Sequence, residues 1–311
     1  MNRAGAIRTA IQTGTLAIAL AAAGCAGDDD AGDGDGGLDG GADGDGAGGA
    51  CLAPVDEPAW LAADLARYVG DLAAAPRASA AQRAATRAYL VAELEALGYA
   101  PRLATYESGA NVVAELSATV ATDTWLVLGA HFDSVTDSPG ANDNATGVAI
   151  VLATARALRS VSCRDHHLAL VLFDQEEVGL IGSGVYAAAA RQAGVDIVAA
   201  HTIDQAGWDM DDDLRFEIER PTAALFAQYQ AAAAAVGAQV VSTQIGTTDH
   251  QSFRDQGYAA AGLTEEYVSG DTTPHYHQPG DVAATVDGPY HRVAARLVIH
   301  VLARALGAPP P

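Results

Sequence analysis

No lysine occurs in this chain of 311 residues; its 17 basic side chains are all arginine, against 39 acidic ones. A formal net charge of -22 argues against a nucleic-acid partner, because phosphate recognition needs concentrated positive charge. The sequence has no His-Glu-x-x-His, so the single-zinc helix motif is missing. It has no Gly-x-Ser-x-Gly either, so a serine nucleophile has no elbow. No repeat of fixed period is evident. Cysteine is scarce, with residues only at 25, 51 and 163. Cys163 precedes a predicted buried strand, which makes it a poor nucleophile.

What the first residues do contain reads as an export signal. Arg3 and Arg8 are followed by an apolar stretch at 16–23 and small residues ending at Cys25. That stretch is too short to span a bilayer comfortably. Leu20-Ala21-Ala22-Ala23-Gly24-Cys25 resembles the lipobox of bacterial lipoproteins, in which the cysteine is lipidated after cleavage. An ordinary signal peptide cut near Cys25 is the alternative. On the lipoprotein reading, residues 1–24 are the signal peptide and a lipid on Cys25 anchors the exported chain without spanning. Ala26, rather than Asp, after the cysteine leans toward the outer membrane, facing the periplasm or the cell surface. Residues 25–50 carry many glycines and almost no large apolar side chain, so they are expected to be a flexible tether before a folded domain at 51–308. With Cys25 lipidated an even pair remains, and a Cys51–Cys163 disulfide is expected in an oxidising compartment; two unpaired thiols are the alternative.

Half of the residues are apolar, which suffices for a sizeable core. Helical spacing predicts helices over 57–74, 79–98, 143–158, 179–193, 222–236 and 289–306. Strands are predicted over 101–106, 110–116, 125–130, 168–173, 197–203, 214–218 and 258–264. The continuous apolar runs at 125–130 and 168–173 suit strands buried on both faces. The alternation implies an α/β three-layer sandwich, with a mostly parallel mixed central sheet flanked by helices.

Acidic and histidine residues recur where these strands end: His131, Asp143, Glu176-Glu177, Asp204 and His277. In open α/β sheets the carboxyl ends of strands form the site. Two imidazoles, three carboxylates and one further carboxylate for proton transfer make a donor set for two adjacent zinc ions. His131 and Asp133 are two apart and point the same way on a strand, so Asp133 can orient the imidazole. Glu176 and Glu177 diverge, so one can bind metal while the other faces a substrate. Asp143 can alternatively cap a helix.

Five segments carry a resemblance. They are Gly129-Ala130-His131-Phe132-Asp133-Ser134, the stretch 140–147, Glu176-Glu177-Val178-Gly179-Leu180-Ile181-Gly182-Ser183, Thr248-Asp249-His250-Gln251-Ser252-Phe253, and Tyr276-His277-Gln278-Pro279-Gly280-Asp281. Together they resemble the M28 family of zinc peptidases, over about 110–306. The resemblance implies a zinc exopeptidase-like fold and a two-zinc site in which Asp143 bridges. Glu177 and His277 would complete one zinc ion, and His131 and Asp204 the other. Glu176 would be the catalytic acid–base and Asp133 the partner of His131. Manganese or cobalt are other occupants of so carboxylate-rich a site. Asp249 and His250 are placed near the site with no chemical step. The implied activity is release of N-terminal residues from peptides. A carboxypeptidase and a glutaminyl cyclase-like acyltransferase share the scaffold; the cyclase usually has tryptophan where Tyr276 stands. An inactive binding module would have lost a ligand or the base, and none is missing. The stretch 265–274 is expected to line the substrate pocket, with Glu265, Glu266 or Asp271 holding a substrate ammonium; a solvated acidic loop is the alternative.

Overall fold

The computed structural model describes residues 57–307. The expected signal peptide, the lipidated Cys25, the tether and Cys51 lie outside the described residues. In chain order the elements are α1 (Leu61–Leu72), α2 (Ala80–Ala96), β1 (Arg102–Tyr106), β2 (Gly109–Leu116), β3 (Thr124–His131), α3 (Gly147–Leu158), β4 (His167–Phe173), α4 (Ile181–Gln192), β5 (Asp196–Ile203), β6 (Arg215–Glu219), α5 (Ala223–Val236), β7 (Gln239–Thr243), α6 (His250–Asp255), β8 (Ala260–Thr264) and α7 (Gly288–Ala305).

The strands form one sheet in the order β1-β2-β4-β3-β5-β8-β6-β7. Its centre, β4-β3-β5-β8, is wholly parallel. Antiparallel pairings flank that centre on both sides, and β7 closes one edge parallel to β6. The central strands alternate between two cores. Leu126, Leu128, Leu168, Leu170 and Leu172 join a large core with residues of α1, α2, α3, α5 and α7. Val127, Ala169, Val171 and Phe173 join a smaller one with Ala187 and Ala190 of α4 and Phe253 of α6. Burial on both faces is why these strands read as unbroken apolar runs. Gly129 admits the Phe173 ring: a Cβ there would lie 2.3 Å from it.

Local signals set several element ends. Ser79 and Gln82 form a reciprocal cap on α2, and Asp287 accepts from Tyr290 N at the start of α7. The helix expected from residue 143 begins only at Gly147, because 141–146 form an irregular turn in which Asp143 and Asn144 have non-helical backbone angles. The apolar spacing that marks the helix starts at Val148, and the Asn144 side chain accepts from Gly147 N just where the helix begins. The Asp143–Asn144 peptide bond is cis. Two short elements, β7 and α6, fall where no strand or helix was expected. β7 is a partly exposed edge strand, and α6 has only 6 residues, too few to show a period. Among the described residues, no helix is long and apolar enough to cross a membrane.

Candidate metal centre

The carboxyl ends of β3, β4 and β5 bring His131, Glu176-Glu177 and Asp204 to one edge of the sheet, as the parallel pairing requires. Asp143 enters from the irregular turn and His277 from the loop before α7. His131 Nε2 lies 3.3 Å from Asp143 Oδ1 and 3.5 Å from Asp204 Oδ1. His277 Nε2 lies 3.1 Å from Asp143 Oδ2 and 3.0 Å from Glu177 Oε2. The two oxygens of Asp143 therefore face two different partner sets. In each set, His131/Asp143/Asp204 and Asp143/Glu177/His277, the candidate ligand atoms all lie within 4.8 Å of one another. Glu176 stands beside them, its Oε2 3.9 Å from His131 Nε2.

Other buried groups hold this arrangement. Asp281 accepts from the backbone N–H groups of Asn142 (2.7 Å) and Asp143 (3.1 Å), fixing the turn from below. Arg77 donates to the carbonyls of Leu72, Phe132, Pro139 and Gly140, threading the segment between His131 and Asp143. Gly140 has a φ of 65°, and a Cβ there would lie 2.4 Å from Asp143 O. Asn144 ties the turn to β5 by donating to Ile203 O and accepting from Gln205 N. Asp133 lies 3.5 Å from His131 Nδ1, and its two oxygens accept from Glu176 N (3.0 Å) and Glu177 N (3.2 Å). It thus braces the Glu pair as well as facing the imidazole. Gln205 and His277 sit at positive φ, a costly conformation for non-glycine residues that neighbouring structure must enforce.

The electrostatics follow from crowding acids out of water. Burial pushes Glu176 up to about 10 and Glu177 up to about 8, with the charge of Asp143 adding to the latter. Burial likewise raises Asp204. Burial also acts to raise Asp143, but the imidazoles of His131 and His277 outweigh it and hold its carboxyl well below the usual range. Burial acts to lower His131; the surrounding acids, Glu176 and Asp204 foremost, overcome it and raise the imidazole well above its ordinary value. Among the described residues, His131 Nε2, Glu177 Oε1 and Asp204 Oδ1 are buried with no hydrogen-bond partner. Buried polar atoms without partners are costly, and imidazole and carboxylate donors in this arrangement fit divalent metal ions.

The acidic loop lies elsewhere than expected. Glu265 is buried and accepts from Asn142 Nδ2, Gly207 N, Thr272 Oγ1 and Thr273 N. Glu266 pairs with Arg215 at 2.8 Å, and Asp271 accepts from Trp208 Nε1, Met210 N and Asp211 N. None of the three lines the cavity over the metal ligands; of the stretch 265–274 only Tyr267 does. These acids serve as loop anchors: Glu265 closes its own loop through Thr272 and Thr273, and all three acids also bind segments distant in the chain. Asp249 is buried near Ser183, with burial pushing it up to about 7. His250 is buried with Nδ1 3.2 Å from Glu219 Oε2. Glu219, Arg77 and Asp281 were not singled out from the sequence as site residues. Only the Pro279-Gly280-Asp281 ending of the last motif hinted at one of them.

Known proteins share sequence and fold with this chain. Aminopeptidase YwaD of Bacillus subtilis is 32% identical over 158 residues, 49% of this chain and 34% of that protein. Leupeptin-inactivating enzyme 1 of Streptomyces exfoliatus is 30% identical over 183 residues, 56% of this chain and 41% of that protein. The chain thus spans well under half the length of these curated relatives. Among solved structures, BSAP, a zinc aminopeptidase from Bacillus subtilis, superposes with a TM-score of 0.58 at 25% identity, covering 64% of this chain and 50% of that one. The model of peptidase family M28 matches residues 111–302, a span that contains all five candidate ligands and Glu176. On that match the chain belongs to peptidase family M28.

Proposed function

We propose that this protein is a zinc-dependent aminopeptidase with two metal ions, releasing N-terminal residues from peptides. The observation that carries the reading is Asp143, whose Oδ1 faces His131 and whose Oδ2 faces His277. One zinc ion would be held by Asp143, His131 and Asp204, the other by Asp143, Glu177 and His277. When bound, zinc supplies Lewis acidity toward a carbonyl and brings the pKa of water to about 7. Glu176 lines the same cavity and is bound to neither set, which suits it to take a proton at its carboxylate and return it to the leaving amine. A cation beside Glu176 opposes the upward push of burial and favours the ionised base. Asp133 keeps His131 and the Glu176-Glu177 backbone in register. Tyr276 stacks on His277, with ring centroids 3.8 Å apart, and forms part of the cavity wall.

The same proposal includes a signal peptide at 1–24, a lipid on Cys25, a tether at 25–50, a domain at 51–308 and a Cys51–Cys163 disulfide. Export and lipidation rest on the sequence pattern at 16–25. The test uses the full zinc-loaded chain and a peptide panel with free or acetylated N-termini, read by mass spectrometry. Stepwise N-terminal trimming that requires a free amine, with about two zinc ions per chain, is the expected result. Loss of C-terminal residues would make it a carboxypeptidase. Ring closure of N-terminal glutamine without trimming would make it a cyclase.

A further inference from the structure

We infer that Glu219 selects peptides whose first residue carries a cationic side chain, lysine or arginine; this deepens the aminopeptidase reading above and rests on it. Glu219 ends β6 and lines the same cavity as Asp143, Glu176, Asp204 and Tyr276, yet belongs to neither ligand set. Its side chain is 1% exposed. Oε2 accepts from Thr248 Oγ1 at 2.6 Å and lies 3.2 Å from His250 Nδ1. Thr248 Oγ1 also lies 2.8 Å from His250 Nδ1, and no described arginine pairs with the carboxylate. A buried carboxylate thus lines the cavity with no arginine against it among the described residues.

The sheet makes room for it. Glu219 stands opposite Gly262 in the antiparallel β6–β8 register. A Cβ at residue 262 would lie 2.0 Å from Glu219 Oε2 and 3.0 Å from His250 Nδ1. Thr264, two residues along β8, and Gln205, Thr247 and Thr248 also line the cavity, beside the apolar Ile245. An apolar first side chain would offer the carboxylate no partner, whereas an ammonium or guanidinium would pair with it. The substrate's α-amine is too close to the scissile bond for this role. The order β5-β8-β6 and its register set Glu219 two strands, about 10 Å, across the sheet from Thr202, two residues before Asp204. A long side chain spans that gap.

The test compares lysine, arginine and norleucine p-nitroanilides with the full zinc-loaded chain, and follows binding of free L-lysine and L-norleucine by calorimetry. Wild type should favour lysine or arginine over norleucine by about tenfold or more in kcat/KM. Glu219→Gln should collapse that ratio mainly through KM, and Glu219→Asp, which keeps the charge, should retain a preference for cations. Equal or better turnover of norleucine by wild type would overturn the inference while leaving the aminopeptidase intact. So would a ratio unmoved in Glu219→Gln. Absence of trimming for every free-amine substrate would overturn both readings.

Discussion

Two sets of buried carboxylates lie near one another at this edge of the sheet and differ in what faces them. Glu217 accepts from Val268 N, Ser269 N and Ser269 Oγ; Glu265 accepts from four donors; Asp281 accepts from two backbone N–H groups. Asp143, Glu177 and Asp204 instead face imidazoles and one another, and two of their oxygens meet no donor among the described residues. Burial alone does not separate the sets: it pushes Glu265 up to about 7 and Glu177 up to about 8. Donor supply does. A carboxylate wrapped in N–H groups is a finished structural clamp, whereas one left without donors is completed by a cation.

The sharpest way to break this contrast is Asp143→Ala. It removes the residue shared by both ligand sets, so metal content should fall for both ions and peptide trimming should drop to background. Glu217→Gln, in the clamped set, should keep its metal; equal metal loss in both variants, read by elemental analysis, would erase the distinction. Glu176→Gln comes next: full metal content with kcat lowered by roughly 10²–10⁴-fold, read by turnover beside metal analysis.

Buried histidines away from the centre extend the comparison to pH. Burial lowers His201 and His291 to about 4, so both are neutral in the fold. Unfolded chains take up the proton near 6.5. Their contribution is therefore complete above that pH and is lost as pH falls toward 4, by about 3 kcal/mol at most for each. Urea unfolding at pH 7 and pH 5 should show this loss, and His201→Gln should flatten it. The smallest effect belongs to the clamps: Glu265→Gln should cost about 1–3 kcal/mol of stability, with metal content unchanged. A thermal melt as high as wild type would show that Glu265 anchors nothing.

Much of the framework is legible in the sequence. The runs at 125–130 and 168–173 are apolar at every position because both of their faces are covered, and the ligands follow such runs directly. The turn around Asp143 reads as helix because its conformation is imposed by Asp281 and Arg77, from elsewhere in the chain, and by the tie of Asn144 to the end of β5. Nothing in the sequence marks Arg77, and only its four carbonyl partners reveal its role. Glu265, Glu266 and Asp271 read as free acids, because nothing in the linear sequence shows that Arg215 pairs with Glu266 or that Asn142 and Trp208 donate to the other two. Glu219 gave no signal at all; its importance depends on a glycine opposite it on another strand.

The sequence by itself determined the layered α/β architecture, the family and the chemical kind of each candidate ligand. Those follow from periodicity, and from short motifs whose residues are neighbours in the chain. Only the tertiary structure decided which acids are clamped, which face the cavity, and that Glu219 lines it outside both ligand sets. Whether a buried carboxylate has donors depends on residues tens of positions away, and the pairing of strands, not their order, brings those residues within reach.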